Sequence, residues 1–370
     1  MNSQSKDLLN TIIKITGVVA ALYLFLVGIN GMSSAIKNMG SEVADSIFTT
    51  TSNPVVALFI GVFSTVLFQS SSTTTSLIVG LVSSGSLSLA GAVPMIMGAN
   101  IGTTVTNTIV SVGHINQGKE FRRAFAASTV HDFFNILAVL ILFPLEMAFH
   151  GIQRSAEWLS SLIFGKVQNV DVLQAKSPIK VAVKSGSKLV EKVTLDNDII
   201  FLIISVMITF IMLYSIVKLL KSLVLEKIEA FFDQYIFKTA IRAVLFGIIL
   251  TLMVQSSSIT TSLVVPLAGA GVLSLRKIFP FTLGANIGTT VTALLAALTG
   301  TVSALIAAIS HLIFNIFGIL IIYGIKPLRE IPLKCATLIS NYAVKNKLIP
   351  IVYLLIMFVL IPLTIILLST

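Results

Sequence analysis

Two runs of hydroxyl side chains stand 186 residues apart: "QSSSTTTSLIVGL" begins at Gln69 and "QSSSITTSLVVPL" at Gln255. Each is followed 29 residues on by the same heptapeptide, GANIGTT, at 98–104 and 284–290. Ser and Thr hydroxyls both donate and accept, and Gln and Asn carbonyl oxygens add neutral acceptors. Oxygens of this kind suit a hard cation such as Na⁺. Free N–H groups at a helix start favour an anion. Neither a Lys nor an Arg lies inside the QSSS or GANIGTT elements. An oxyanion bound there needs its charge offset by N–H dipoles and co-bound cations, which is a physical reason for obligatory cation coupling.

A single Ser/Thr run in an apolar helix ordinarily serves packing or backbone hydrogen bonding. GANIGTT alone reads equally as a close-packing glycine motif. The paired duplication is what points to a site. Aligning 69–85 with 255–271 gives 11 identities in 17 positions, and GANIGTTVT at 98–106 recurs unchanged at 284–292. HDFFN at 131–135 answers HLIFN at 311–315, with the offset reduced to 180. The repeat therefore covers about 57–146 and 243–329.

Other polar residues carry two readings each. His131 and His311 each precede an FN pair, but no second metal-type ligand sits at helical spacing, so a structural role is slightly favoured. Asn135 and Asn315 fit carbonyl ligands or backbone ties. Asp132 is an acid in an apolar span, where function is the default hypothesis. It also follows Arg122 and Arg123, so a structural ion pair is equally open. Its counterpart is Leu312, which excludes a symmetric ligand. There is no GxSxG, Walker A, HExxH or paired-carboxylate arrangement, so enzyme chemistry has little support. Cys335 is the only cysteine, which excludes an intrachain disulfide and a Cys-based metal site. No cofactor is expected beyond a coupling ion.

The elements that must position these residues are membrane helices. The 370 residues are 55% hydrophobic and only 11% charged, too few charges to wrap a soluble core of this size. The net charge of +10 suggests basic cytoplasmic loops before it suggests nucleic acid. A spanning helix needs about 20 apolar residues. Candidates are 12–31, 121–149, 198–220, 302–325 and 348–368. Two more, 90–112 and 276–298, carry Pro94 and Pro280 four residues before GANIGTT and are predicted to be broken helices. The arms 54–68 and 74–88, and again 241–254 and 259–275, flank polar tips as re-entrant hairpins would. The N-terminus reads as a first membrane helix, not a removed signal peptide.

The fold expected is an all-α polytopic membrane protein with an inverted repeat, two re-entrant hairpins and two broken transmembrane helices. Its divisions are 1–56, a helix and an interfacial segment over 32–52; 57–149, the first repeat; 150–197, an extracytoplasmic loop; 198–242, a connecting helix and a cytoplasmic amphipathic segment; 243–329, the second repeat; and 330–370, a loop and last helix. Within the loop, "KVAVKSGSKLVEKVT" suggests a short strand or hairpin. Three spans separate the hairpins, so the copies enter from opposite faces, the inverted pattern of secondary transporters. With the N-terminus inside, 17 of 25 Lys and Arg face the cytoplasm and the C-terminus ends outside.

The doubled QSSS, the doubled GANIGTT and "FRRAFAASTVHDFFN" resemble the type II sodium-dependent phosphate cotransporters, and the chain looks like a compact bacterial member in the inner membrane. The resemblance implies sodium-driven import of phosphate, mainly HPO₄²⁻, with both QSSS regions at the transport site. It places phosphate ligands on Ser70, Ser71, Ser72, Thr73, Ser256, Ser257, Ser258, Asn100 and Asn286. It places sodium ligands on Gln69, Thr103, Thr104, Thr108, Asn135, Gln255, Ser256, Thr289, Thr290 and Thr292. Electrogenic vertebrate members carry Ala-Gly-Asp where this chain reads "HINQG" at 114–118. The missing acid implies fewer sodium ions per phosphate. A symporter of another oxyanion or small dicarboxylate is the alternative, disfavoured by the lack of an Arg near the site. A channel is less favoured still, because pores more often repeat one segment around an axis. Phosphate, sodium and the lipid bilayer are the expected partners, with a homodimer left open and no nucleic acid.

Overall fold

A computed structural model describes residues 3–164, 178–195, 197–228 and 236–369, and every regular element among them is helical. In chain order these are α1 (Ser3–Asn38), α2 (Ser41–Thr51), α3 (Pro54–Phe68), α4 (Ser71–Ser84), α5 (Leu89–Gly102), α6 (Val105–Val112), α7 (Gly118–Phe149) and α8 (Gly151–Phe164). There follow α9 (Pro178–Val193), α10 (Asp198–Ile228), α11 (Ala240–Val254), α12 (Ser257–Ser262), α13 (Val264–Gly269), α14 (Leu275–Ala297) and α15 (Val302–Gly318). The last are α16 (Lys326–Lys345), α17 (Ile349–Leu355) and α18 (Ile361–Ser369).

Among the described residues, seven segments are long and apolar enough to cross a membrane: Leu9–Asn38, Leu89–Val112, Gly118–Phe149, Asp198–Leu220, Leu275–Ala297, Val302–Tyr323 and Ile349–Ser369. Large apolar side chains such as Leu140, Ile211, Leu320 and Leu367 are exposed on them, as lipid contact requires. The chain is a multi-pass membrane protein. Leu89–Val112 and Leu275–Ala297 are the most enclosed, 78% buried each, against 17% for Ile349–Ser369. The two GANIGTT helices therefore form the centre.

Glycine builds that centre twice. A Cβ at Gly98 would strike the Leu58 carbonyl oxygen, and one at Gly61 would strike the Met95 carbonyl. In the second copy, Gly284 meets Val244 and Gly247 meets Phe281 in the same way. Each of these positions is the first-copy position plus 186. So α3 lies backbone-to-backbone on α5, and α11 on α14. Small residues that let helix backbones meet are the usual glue of membrane bundles.

The structure changes several expectations. Only the first GANIGTT helix is interrupted, at Thr103–Thr104 between α5 and α6; α14 runs unbroken through Pro280. The glycines that were expected to weaken these helices instead seat them against α3 and α11. Residues 32–38 continue α1, and α2 follows as a separate helix. Its stretch Asp45–Thr51 meets α3 at 102°. The expected strand in 180–194 is α9, whose apolar residues fall on one helical face with buried Val183 packed beside α1. At the surface, Arg276 and Glu330 form a two-pronged ion pair at 2.6 and 2.7 Å that ties the start of α14 to α16. The guanidinium holds the Glu330 carboxyl below the usual range.

Candidate functional site

Both hydroxyl runs fold alike. Gln69 ends α3 in the left-handed region (φ 54°, ψ 24°), and Gln255 ends α11 there (φ 56°, ψ 27°). Such a conformation is uncommon for a residue with a Cβ and costs on the order of 1 kcal/mol. The next residue swings to an extended conformation and caps the following helix. Ser70 Oγ accepts from Thr73 N at 3.2 Å, and Ser256 Oγ from Ile259 N at 3.3 Å. The N–H groups of the first turns of α4 and α12 thus begin at the polar tips, and Ser71, Ser72, Thr73, Ser257 and Ser258 are buried there.

Each glutamine is used at both ends of its amide. Nε2 of Gln69 donates to the Val66 carbonyl at 3.3 Å, and that of Gln255 to the Leu252 carbonyl at 2.7 Å. The freed Oε1 accepts from Thr106 at 3.2 Å in one copy and from Thr292 at 2.9 Å in the other. Thr106 and Thr292 are the same position of GANIGTTVT.

The two copies then reach into each other. Ser258 Oγ donates to the Thr103 carbonyl at 3.1 Å, and Thr292 Oγ1 lies 3.4 Å from Ser72 Oγ. His131 Nε2 lies 2.5 Å from Asn286 Oδ1, while His311 Nε2 lies 3.4 Å from Asn100 Oδ1. Asn286 Nδ2 donates to Asn135 Oδ1 at 2.8 Å, and Asn315 Nδ2 to Asn100 Oδ1 at 3.3 Å. Asn135 Nδ2 adds a bond to the Asn100 carbonyl at 2.7 Å. Every one of these six His and Asn side chains is buried. The His-x-x-x-Asn helix of each copy is thereby clamped on the GANIGTT asparagine of the other.

Not all the predicted residues face one another equally. Thr103 and Thr289 each turn their hydroxyl back onto the helix, donating to Ala99 and Ala285 at 3.0 Å. Thr104 and Thr290 do the same toward Ile101 (3.1 Å) and Ile287 (2.7 Å). Their oxygens remain acceptors. Thr108 Oγ1 is buried without a hydrogen-bond partner. The symmetry is also uneven: Gln255 is 7% exposed, whereas Gln69 is exposed.

Asp132 makes no ion pair with the arginines before it. Arg122 is exposed, and Arg123 Nε donates to the Gly269 carbonyl at 2.8 Å. Asp132 Oδ2 instead accepts from the Tyr353 hydroxyl at 3.0 Å. The segment 114–118 closes on an acid just beyond it: His114 Nδ1 lies 3.2 Å from Glu120 Oε1, and the Gln117 side-chain amide lies against the same carboxylate.

Sequence reasoning passed over Asn107. Its Oδ1 accepts from Thr261 at 3.0 Å and Ser262 at 2.9 Å, fastening α6 to α12. The signal was present: Asn107 stands one turn beyond Thr103 and between Thr106 and Thr108, within the polar run that continues GANIGTT. Its counterpart is Ala293, so a search for repeats does not find it.

The chain is thus a multi-pass helical protein that buries two copies of a polar motif against each other at its centre. The chain belongs to the Na⁺/Pi-cotransporter family, whose model matches residues 24–165 and 210–331. It is 34% identical to sodium-dependent phosphate transport protein 2A of Ovis aries over 429 residues, covering 95% of this chain and 67% of the relative. It is also 34% identical to sodium-dependent phosphate transport protein 2B of Homo sapiens over 438 residues, covering 93% of this chain and 63% of the relative. The chain thus spans about two thirds of the length of these relatives. No solved structure matches it.

Proposed function

We propose that this protein is a sodium-coupled symporter that imports inorganic phosphate by alternating access. The observation that carries the reading is the reciprocal clamp of the two copies around a buried centre of hydroxyls and amides, with no Lys or Arg in the QSSS and GANIGTT elements. Phosphate oxygens are received by Ser70, Ser71, Ser72, Thr73, Ser256, Ser257 and Ser258, where the tips offer hydroxyls and first-turn N–H groups. Asn100 and Asn286 hold the frame behind them. Sodium ions take the oxygens of Gln69, Gln255, Ser256, Thr103, Thr104, Thr108, Asn135, Thr289, Thr290 and Thr292. The cations supply the positive charge that no side chain provides, so anion and cation bind together.

The repeats are inverted, with the N-terminus cytoplasmic, the C-terminus outside and 150–197 on the extracytoplasmic side of a bacterial inner membrane. The unequal exposure of Gln69 and Gln255 fits one end state of a transport cycle: the first tip is open while the second is closed. In the opposite state the two glutamines exchange environments.

Competition against ³²P-phosphate uptake in sodium-loaded and sodium-free proteoliposomes tests the substrate. Arsenate should compete and sulfate and succinate should not. Competition by succinate at phosphate-like concentrations would instead identify a dicarboxylate carrier.

A further inference from the structure

The two central helices start differently. Both copies open with Ser-Leu, at 88–89 and 274–275, and both carry a Pro six residues after that Ser. Between them the first copy has Ala90 and Gly91, whereas the second has Arg276 and Lys277. The basic pair is therefore no part of the machinery that the repeats share. It belongs to one end of α14, where both side chains are exposed.

Beside that end stands α16. One face of it, with Leu333, Ala336 and Ala343, is buried among apolar side chains, and α16 packs on α7. On its other side Ile331, Leu338 and Tyr342 are exposed. Their spacing of seven and four residues places them on one stripe. The exposed Lys334 and Lys345 border that stripe. Apolar and aromatic side chains next to lysines are what a helix at the lipid–water boundary presents.

A groove of about 530 Å³ runs between the start of α14 and this helix. Its polar wall has Arg276, Lys334, Thr337 and Asn341, and its apolar wall has Leu275 and Leu338. Glu330 is the one acid that lines it, and both carboxylate oxygens are taken by the Arg276 guanidinium. Lys334, one turn further on, has no ion-pair partner among the described residues. Two cations against one acid leave the groove positive, and its other wall is hydrocarbon. A small free anion has no use for the leucines. A neutral lipid has no use for the excess charge.

We propose that this groove binds one anionic phospholipid, its phosphate headgroup between Arg276 and Lys334 and its acyl chains against Leu275 and Leu338. Glu330 is a positioning residue that holds the guanidinium over the groove. The site lies outside the transport centre and does not depend on the substrate. The proposed topology makes the cytoplasmic leaflet the source of the lipid.

Native mass spectrometry of the purified full chain, titrated in detergent with phosphatidylglycerol or phosphatidylcholine, tests the site. The wild type should bind one phosphatidylglycerol at least 5-fold more tightly than phosphatidylcholine. Lys334→Gln changes an exposed side chain and leaves the Arg276–Glu330 pair in place. It should weaken phosphatidylglycerol roughly 5-fold and leave phosphatidylcholine unchanged. Arg276→Gln should weaken phosphatidylglycerol by at least as much, while Glu330→Gln should hold or raise its affinity. Equal affinity for the two lipids, or wild-type phosphatidylglycerol affinity in Lys334→Gln, overturns the proposal. So does an equal loss in Glu330→Gln and Arg276→Gln, which would mark the pair as a brace between helices. Displacement of phosphatidylglycerol by glycerol 3-phosphate at matching concentration would show a soluble-anion site and overturn the lipid assignment.

Discussion

His131 lies on the first repeat and Asn286 on the second, and the 2.5 Å contact between them is the shortest tie across the centre of the molecule. The mirror pair, His311 and Asn100, sits at 3.4 Å. Pairs that share a buried network do not contribute independently to stability. His131→Ala and Asn286→Ala should each lower the melting temperature in detergent. The double variant should lose less than their sum, with a coupling of about 1 kcal/mol or more. The His311→Ala, Asn100→Ala cycle should show weaker coupling. Strict additivity in the first cycle would contradict the clamp.

The two tip glutamines provide the second prediction. Gln69→Ala and Gln255→Ala should both cut uptake severely while the protein still reaches the membrane, because each removes the oxygen that receives Thr106 or Thr292. Normal transport in either variant would show that half of the repeat to be structural.

Much of the buried polar centre was legible in the sequence because it was written twice. The paired QSSS and GANIGTT runs located the tips and the central helices, and HDFFN against HLIFN located the clamp. What escaped was what the repeat does not share. Asn107 has Ala293 as its counterpart, and Tyr353 lies outside both copies. The expected break at Pro280 failed for a different reason. Helix weakening by Pro and Gly is a local propensity, and burial against α11 overrides it. The strand expected in 180–194 came from reading alternation where a helical period fits the same apolar residues.

The proposed topology rests on the placement of the basic residues and is open to labelling. With Cys335 replaced, a cysteine at Gly300 should react with a membrane-impermeant reagent from outside, and one at Gly118 only from inside. Reversed labelling would invert the orientation and leave the site unchanged.

Charge movement depends on the number of sodium ions. The net charge moved per cycle is the sodium charge plus that of the phosphate species. The stretch 114–118 lacks an acid, and the nearest carboxylate, Glu120, is engaged by His114 and Gln117. With no free acid in that stretch to serve a further sodium ion, we expect transport of HPO₄²⁻ to be nearly electroneutral. Uptake into vesicles clamped at several membrane potentials checks this; a steep voltage dependence of the wild type would contradict it.

Coupling is the central claim, and phosphate binding measured in sodium and in choline media tests it most directly. No Lys or Arg lies in the QSSS and GANIGTT elements to hold an oxyanion alone. By linkage, the factor by which sodium tightens phosphate must equal the factor by which phosphate tightens sodium. Phosphate should bind the purified protein in sodium and poorly in choline, with reciprocal factors in the two titrations. Equal phosphate affinity in both media would contradict the account.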